Sequence, residues 1–218
     1  MLVVLTVLFT VALVAPIMFR RIGRSAFYVL AAVPAAAFVW LLVTFPRYTG
    51  ADQTLASGAP NAPPSVVIPW IPDLQVEFAF RMDTLAAVLS ILILGVGSLV
   101  LFYCARYFRP GDAQMGAFGS QLLAFAAAMF GLVTADDLIL LFIFWEITTV
   151  LSYLLIGYSA HRLSARRAAL QALVVTTFGG LTMLVGMVLI GDAAGTFRIS
   201  EILAMAPQLL ERGALVDI

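Results

Sequence analysis

Six stretches of this sequence run for about 20 residues each with almost no charge: 2–19, 26–45, 84–103, 117–135, 138–158 and 168–191. A hydrocarbon core roughly 30 Å thick needs about 20 apolar residues at 1.5 Å of rise per residue, with every backbone N–H and C=O bonded internally. The pattern therefore predicts an all-α membrane protein, a polytopic bundle of about six transmembrane helices. Composition points the same way: 63% of residues are hydrophobic, 11% are charged, and mean hydropathy is +1.07, well outside the range of ordinary soluble domains.

Charge organises the loops. All 12 basic residues are arginine and they balance 12 acids, so no basic field exists to attract nucleic acid. Eight arginines (20, 21, 24, 106, 109, 162, 166 and 167) follow the first, third and fifth stretches, whereas Arg47, Arg81, Arg198 and Arg212 lie in the alternate loops. By the positive-inside rule the amino terminus is expected outside. The first stretch lacks both a preceding positive charge and a small-residue cleavage pattern, so it reads as a retained span rather than a signal. Residues 1–45 then hold two helices, 46–82 an outer loop, 83–191 four more helices, and 192–218 an outer amphipathic segment. In the loop, ADQTLASGAPNAPPS has linker composition, whereas the alternation from Leu74 to Phe80 suggests a short strand or hairpin. Ile199, Ile202, Leu203 and Met205 recur at helical intervals, as in an interfacial helix broken near Pro207.

One ionisable acid or base lies inside the six stretches: Glu146, roughly 12 Å along the fifth from its outer end. A charge at such depth costs at least ~2.5 kcal/mol, so it needs neutralisation, a partner or a hydrated path. Thr149 and Tyr153 share its helical face, with Ser152 at the edge, and these hydroxyls form a candidate proton relay. The bland alternative is a protonated glutamate gluing two helices together. Asp136 and Asp137 head the fifth stretch as helix caps, in a Thr134-Ala-Asp-Asp137 sequence like a capping box, or as an outer mouth that gathers cations. Asp83 reads as the cap of the third span. Gly95, Gly97, Gly179, Gly180 and Gly186 read as points of close helix approach. His161 is the single histidine and Cys104 the single cysteine, which excludes a disulfide framework and a zinc cluster; no nucleophile, phosphate-loop or metal motif occurs, so no catalytic residue, metal or cofactor is expected. His161 reads as a loop residue, with proton entry at the cytoplasmic mouth as its alternative.

The run from Asp136 through DLILLFIFWEITTVLSYLLIGY resembles the signature of the proton-translocating membrane subunits shared by Mrp-type multisubunit Na+/H+ antiporters and respiratory complex I, where an FWE motif and a following LIG mark the fifth helix. FRMDTL into GVGSLVLFYCARYF, AMFGLVTADD, and RRAALQALVVTTFGGLTMLVG support the match in order and spacing. The glycine pair Gly179-Gly180 is similar to the A-type subunits of the Mrp antiporters. The resemblance implies the amino-terminal portion of a larger antiporter-like subunit in a bacterial cell membrane, partnered by other subunits and exchanging Na+ for H+. It carries the family's essential fifth-helix glutamate onto Glu146. Family members continue into later helices, including one whose lysine pairs with that glutamate. The alternatives are a proton-pumping subunit of an NADH:quinone oxidoreductase and a non-transporting scaffold or assembly subunit.

Overall fold

The computed structural model describes residues 1–49, 64–71, 76–109, 112, 114–158 and 162–211. The linker sequence, except its final residues, together with His161 and Arg212, lies outside them. The elements are α1 (Leu2–Ile22), a 3-10 turn (Gly23–Ser25), α2 (Ala26–Thr44), the short α3 (Pro46–Thr49), β1 (Ser65–Ile71), β2 (Val76–Arg81), α4 (Thr84–Tyr107), α5 (Met115–Thr134), α6 (Leu138–Ile156), α7 (Leu163–Ala194) and α8 (Ile199–Glu211).

Five helical stretches are long and apolar enough to cross a membrane, and the first, Leu2–Thr44, contains both α1 and α2. Its fold-back is local: Gly23 adopts φ 59°, a region that glycine enters without a Cβ clash. Val3, Val4 and Val7 of α1 consequently line one groove with Val33, Ala36 and Ala37 of α2, as antiparallel arms must. The expected six segments are therefore all present, although α7 begins five residues earlier than the apolar pattern indicates.

Helices α1, α2, α4 and α5 close into a four-membered bundle, α6 packs on α5, and α7 packs on α6. Inside a bilayer, association rests on van der Waals fit rather than on apolar burial, so small residues decide where helices can meet. The central α5 supplies them, with Gly119, Ala126, Ala127, Ala128 and Gly131 all buried. Gly119 faces the rings of Phe19 and Phe27, and Gly131 faces Phe144. Ser120 also donates to the Ala12 carbonyl at 2.7 Å, fixing α5 on α1. Of the glycines read as contact points, Gly95 faces Phe38, Gly97 faces Ala126 and Gly180 faces α6, but Gly179 and Gly186 have nothing within 4 Å. Periodicity explains the difference, since those two lie off the buried stripe of Ala169, Gly180, Met187 and Gly191.

The loop hairpin is present as antiparallel β1 and β2, with Val66 opposite Phe80 and Ile68 opposite Phe78. Asp83 caps α4, its Oδ1 accepting from the Ala86 N–H at 2.7 Å. Replacing Asp83 with Ala removes that acceptor and is expected to cost about 1 kcal/mol, read as a lower thermal midpoint in detergent. Helix α8 continues through Pro207 instead of breaking there. A proline removes one hydrogen bond and bends a helix, and it need not end one.

Candidate functional site

Helix α6 starts where Asp137 turns its extended backbone into the first turn and its Oδ1 accepts from the Leu140 N–H at 2.8 Å. Thr134 does not complete a capping box; its hydroxyl donates to the Phe130 carbonyl of α5 at 2.8 Å. From that cap, LILLFIFWE places Glu146 at the ninth position of 19. Its Oε1 is buried and has no hydrogen-bond partner among the described residues.

The carboxylate reaches its position because Gly180 of α7 has no side chain. A Cβ there would collide with Glu146 Oε1 and stand 3.3 Å from Trp145 Nε1. Glu146 also borders an apolar groove of about 450 Å³ lined by Phe142, Ile143, Ile147, Val150 and Leu151 of its own helix. A carboxylate oxygen so placed is uncompensated unless it holds a proton or meets a cation.

The three hydroxyl residues expected beside it differ in what they are free to do. Ser152 donates to the Thr148 carbonyl at 2.7 Å, which closes its hydroxyl onto its own helix. Thr149 is 6% exposed, and its hydroxyl bonds no acceptor among the described residues. Tyr153 borders a cavity of about 300 Å³ with Leu154, Gly157, Arg166, Ala169 and Leu170. No hydrogen bond among the described residues joins any of the three directly to Glu146.

Asp136 and Asp137 belong to a second locus at the opposite end of α6 from Arg166. They are 3% and 0% exposed, whereas a mouth that gathers cations needs carboxylates in contact with water. Both are engaged in structure instead. Residues 135–137 run between β2 and the α7–α8 connection: the Asp136 N–H donates to the Ala79 carbonyl at 2.8 Å, the Ile199 N–H to the Asp136 carbonyl at 2.9 Å, and the Leu138 N–H to the Phe197 carbonyl at 2.9 Å. The Asp136 carboxylate accepts from the Ser200 N–H at 3.0 Å and from the Ser200 hydroxyl at 2.7 Å, at the start of α8. Arg198 lies 3.7 Å from it, 3.2 Å from Glu201 and 3.9 Å from Glu77. Burial pushes the Asp136 pKa up, opposed by the two Ser200 hydrogen bonds and by the charges of Arg81 and Arg198. Burial likewise raises Asp137, opposed first by the Leu140 N–H. The sequence shows Arg198, Ser200, Glu77 and Glu201 only as scattered loop polarity, because Glu77 and Asp136 come from segments far from the Arg198–Glu201 stretch along the chain.

Fold and site together define a polytopic helical membrane protein with a carboxylate oxygen buried at the middle of a helix packed between two others. Residues 135–216 match the family described as NADH:quinone oxidoreductase/Mrp antiporter, TM, and residues 68–118 match NADH-ubiquinone oxidoreductase (complex I), chain 5 N-terminus. The chain belongs to this family of membrane subunits shared by Mrp-type antiporters and complex I. A probable K(+)/H(+) antiporter A/B subunit of Rhizobium meliloti is 42% identical over 63% of this chain and 14% of its own length. The putative antiporter protein mnhA2 of Staphylococcus aureus, also a subunit, is 30% identical over 90% of this chain and 23% of its own length. Among solved structures, a chain of the Mrp complex from a Dietzia species superposes with a TM-score of 0.77 at 32% identity, covering 92% of this chain and 20% of that one. Respiratory complex I from Thermus thermophilus shares the fold at a TM-score of 0.64 and 21% identity, over 90% of this chain and 39% of the other. The chain thus spans less than a quarter of the length of the curated relatives it matches.

Proposed function

We propose that this chain is part of an A-type subunit of a multisubunit antiporter that exchanges a monovalent cation, Na+ or K+, for H+, with Glu146 as a proton site. The observation that carries the reading is the buried, unpartnered Oε1 of Glu146 at the middle of α6, within the span matched by the antiporter family. Such an oxygen can take a proton when its surroundings are neutral and release it when a cation approaches, which is the elementary step a coupled exchanger needs. The end that carries the clustered arginines faces the cytoplasm, and the β-hairpin end faces outside. Partners are the remaining subunits of the complex and the bilayer itself.

A redox-driven pump uses the same kind of subunit, so the deciding measurement separates the two. Everted vesicles that hold the full-length subunit in its assembled complex are energised to set a pH gradient, and Na+ or K+ is then added with no electron donor turning over. Cation-dependent collapse of the gradient is the expected result. Proton movement that requires NADH oxidation and ignores added cations would assign the pump instead.

A further inference from the structure

Two contacts fix how α6 and α7 lie against each other. Gly180 abuts the Glu146 carboxylate, and a Cβ at Gly157 would stand 3.6 Å from the Ala169 side chain. From Glu146 to Gly157 and from Ala169 to Gly180 are both eleven residues, so the antiparallel register is the same at both points. That register sets Thr149 opposite Thr177 and Tyr153 opposite Leu173. At 100° per residue, Glu146, Thr149, Tyr153 and Gly157 fall within about 80° of arc on α6, and Arg166, Ala169, Leu173, Thr177 and Gly180 fall within a similar arc on α7.

The threonines of these two helices divide by how their hydroxyls are used. Thr148 and Thr182, on the far sides of their helices, and Thr176, exposed at the edge of the seam, each donate to a carbonyl of their own helix at 2.7, 3.0 and 2.8 Å. Thr149 and Thr177, the pair on the seam, make no side-chain hydrogen bond among the described residues. A threonine hydroxyl in a helix has its own preceding carbonyls within easy reach, so leaving two facing hydroxyls open is a departure from the local pattern. Both remain able to donate and accept, as holding a water requires. Above them is the unpartnered Glu146 Oε1, and about 10 Å further along α6 is Tyr153, at the inner wall of the 300 Å³ cavity that Arg166 borders.

We propose that the α6–α7 seam is the proton access path to Glu146, running from the Arg166 cavity past Tyr153 and between the hydroxyls of Thr149 and Thr177. Thr177 is its newly identified station: it contributes from the neighbouring helix the second hydroxyl that a water between α6 and α7 needs. The proposal rests on Glu146 being the proton site. No bond other than O–H is made or broken along it; each hydroxyl or water passes on one proton as it receives another.

The test uses the full-length subunit in its assembled complex, in everted vesicles. Thr177→Val, nearly the same shape without the hydroxyl, is expected to slow exchange about fivefold, the cost of one hydrogen-bonded station, with an altered solvent deuterium isotope effect and an unchanged amount of complex. Thr177→Ser is expected to restore the rate. Wild-type exchange and isotope effect in Thr177→Val, while Glu146→Gln is inactive, overturns the path and leaves the proton site standing. A slow Thr177→Val that Ser does not rescue also overturns it, since Thr177 is then a packing residue. Full exchange in Glu146→Gln removes the underlying reading instead. If Thr177→Val does not assemble, Thr149→Val compared with Thr149→Ser reads the same path from α6 with the same outcomes.

Discussion

Glu146→Gln in the full-length subunit is expected to lower cation-driven proton movement at least ~100-fold, the scale on which a proton-transferring group acts, while the complex assembles in normal amount. Glutamine keeps the length and volume of the side chain, and it still fits the space left by Gly180, where a Cβ would collide with Oε1. It cannot ionise. Assembly is preserved because a neutral amide avoids the cost of at least ~2.5 kcal/mol that a mid-membrane charge imposes. Quantifying assembled complex alongside exchange in the same vesicles separates the two effects. The scaffold alternative makes the opposite forecast: a glutamate that serves only as a helix-to-helix hydrogen-bond donor is replaced by glutamine with exchange intact. The geometry speaks against that role, since Oε1 faces the bare backbone of Gly180 and has no hydrogen-bond partner among the described residues.

Much of this site is legible in the sequence because membrane chemistry makes exceptions conspicuous. A single acid in six apolar stretches stands out with no knowledge of the fold, and the 3.6-residue period puts Thr149 and Tyr153 on its face. Asp83 and Asp137 are readable as caps because a cap is decided by three or four consecutive residues. What the sequence hides is whatever depends on register between helices. The glycine pair looks symmetrical in one dimension, yet Gly180 holds open the space for a carboxylate and Gly179 faces nothing within 4 Å. Thr177 reads as one more small polar residue until α7 is laid against α6. Ser152 looks as good a relay as Thr149, and only the choice between its own helix carbonyl and the seam sets them apart. The Asp136 cluster is hidden for another reason: Arg198 and Ser200 reach it across more than 60 residues, from a segment whose apolar spacing suggests a helix lying on the membrane surface.

Removing that cluster's centre has the largest expected effect on stability. In Asp136→Ala the buried Ser200 N–H and hydroxyl both lose their acceptor, Arg198 keeps only Glu77 and Glu201 among the ion pairs described for it, and the positive end of α8 loses a facing carboxylate. Buried groups left unpaired cost ~1–3 kcal/mol each, so α8 is expected to loosen by about 2–4 kcal/mol, seen as faster amide exchange at Ser200 and its neighbours and as a lower thermal midpoint. Asp136→Asn is expected to do less harm, since its carbonyl still accepts from the Ser200 N–H. The two variants also separate hydrogen bonding from charge. Burial raises the Asp136 pKa above its ordinary value of 3.8, so the folded chain keeps this proton to higher pH than the unfolded chain does. The stability this group contributes is therefore complete below about 3.8, and is lost as pH rises through the higher folded value. Asparagine does not titrate, so the Asn variant is expected to gain on the wild type as pH rises from about 3.8 through the folded pKa of Asp136, with no further change in their difference above it. A wild-type advantage that instead grew across that range would mean that Arg81 and Arg198 outweigh burial, and that this corner is an ion pair first and a helix anchor second.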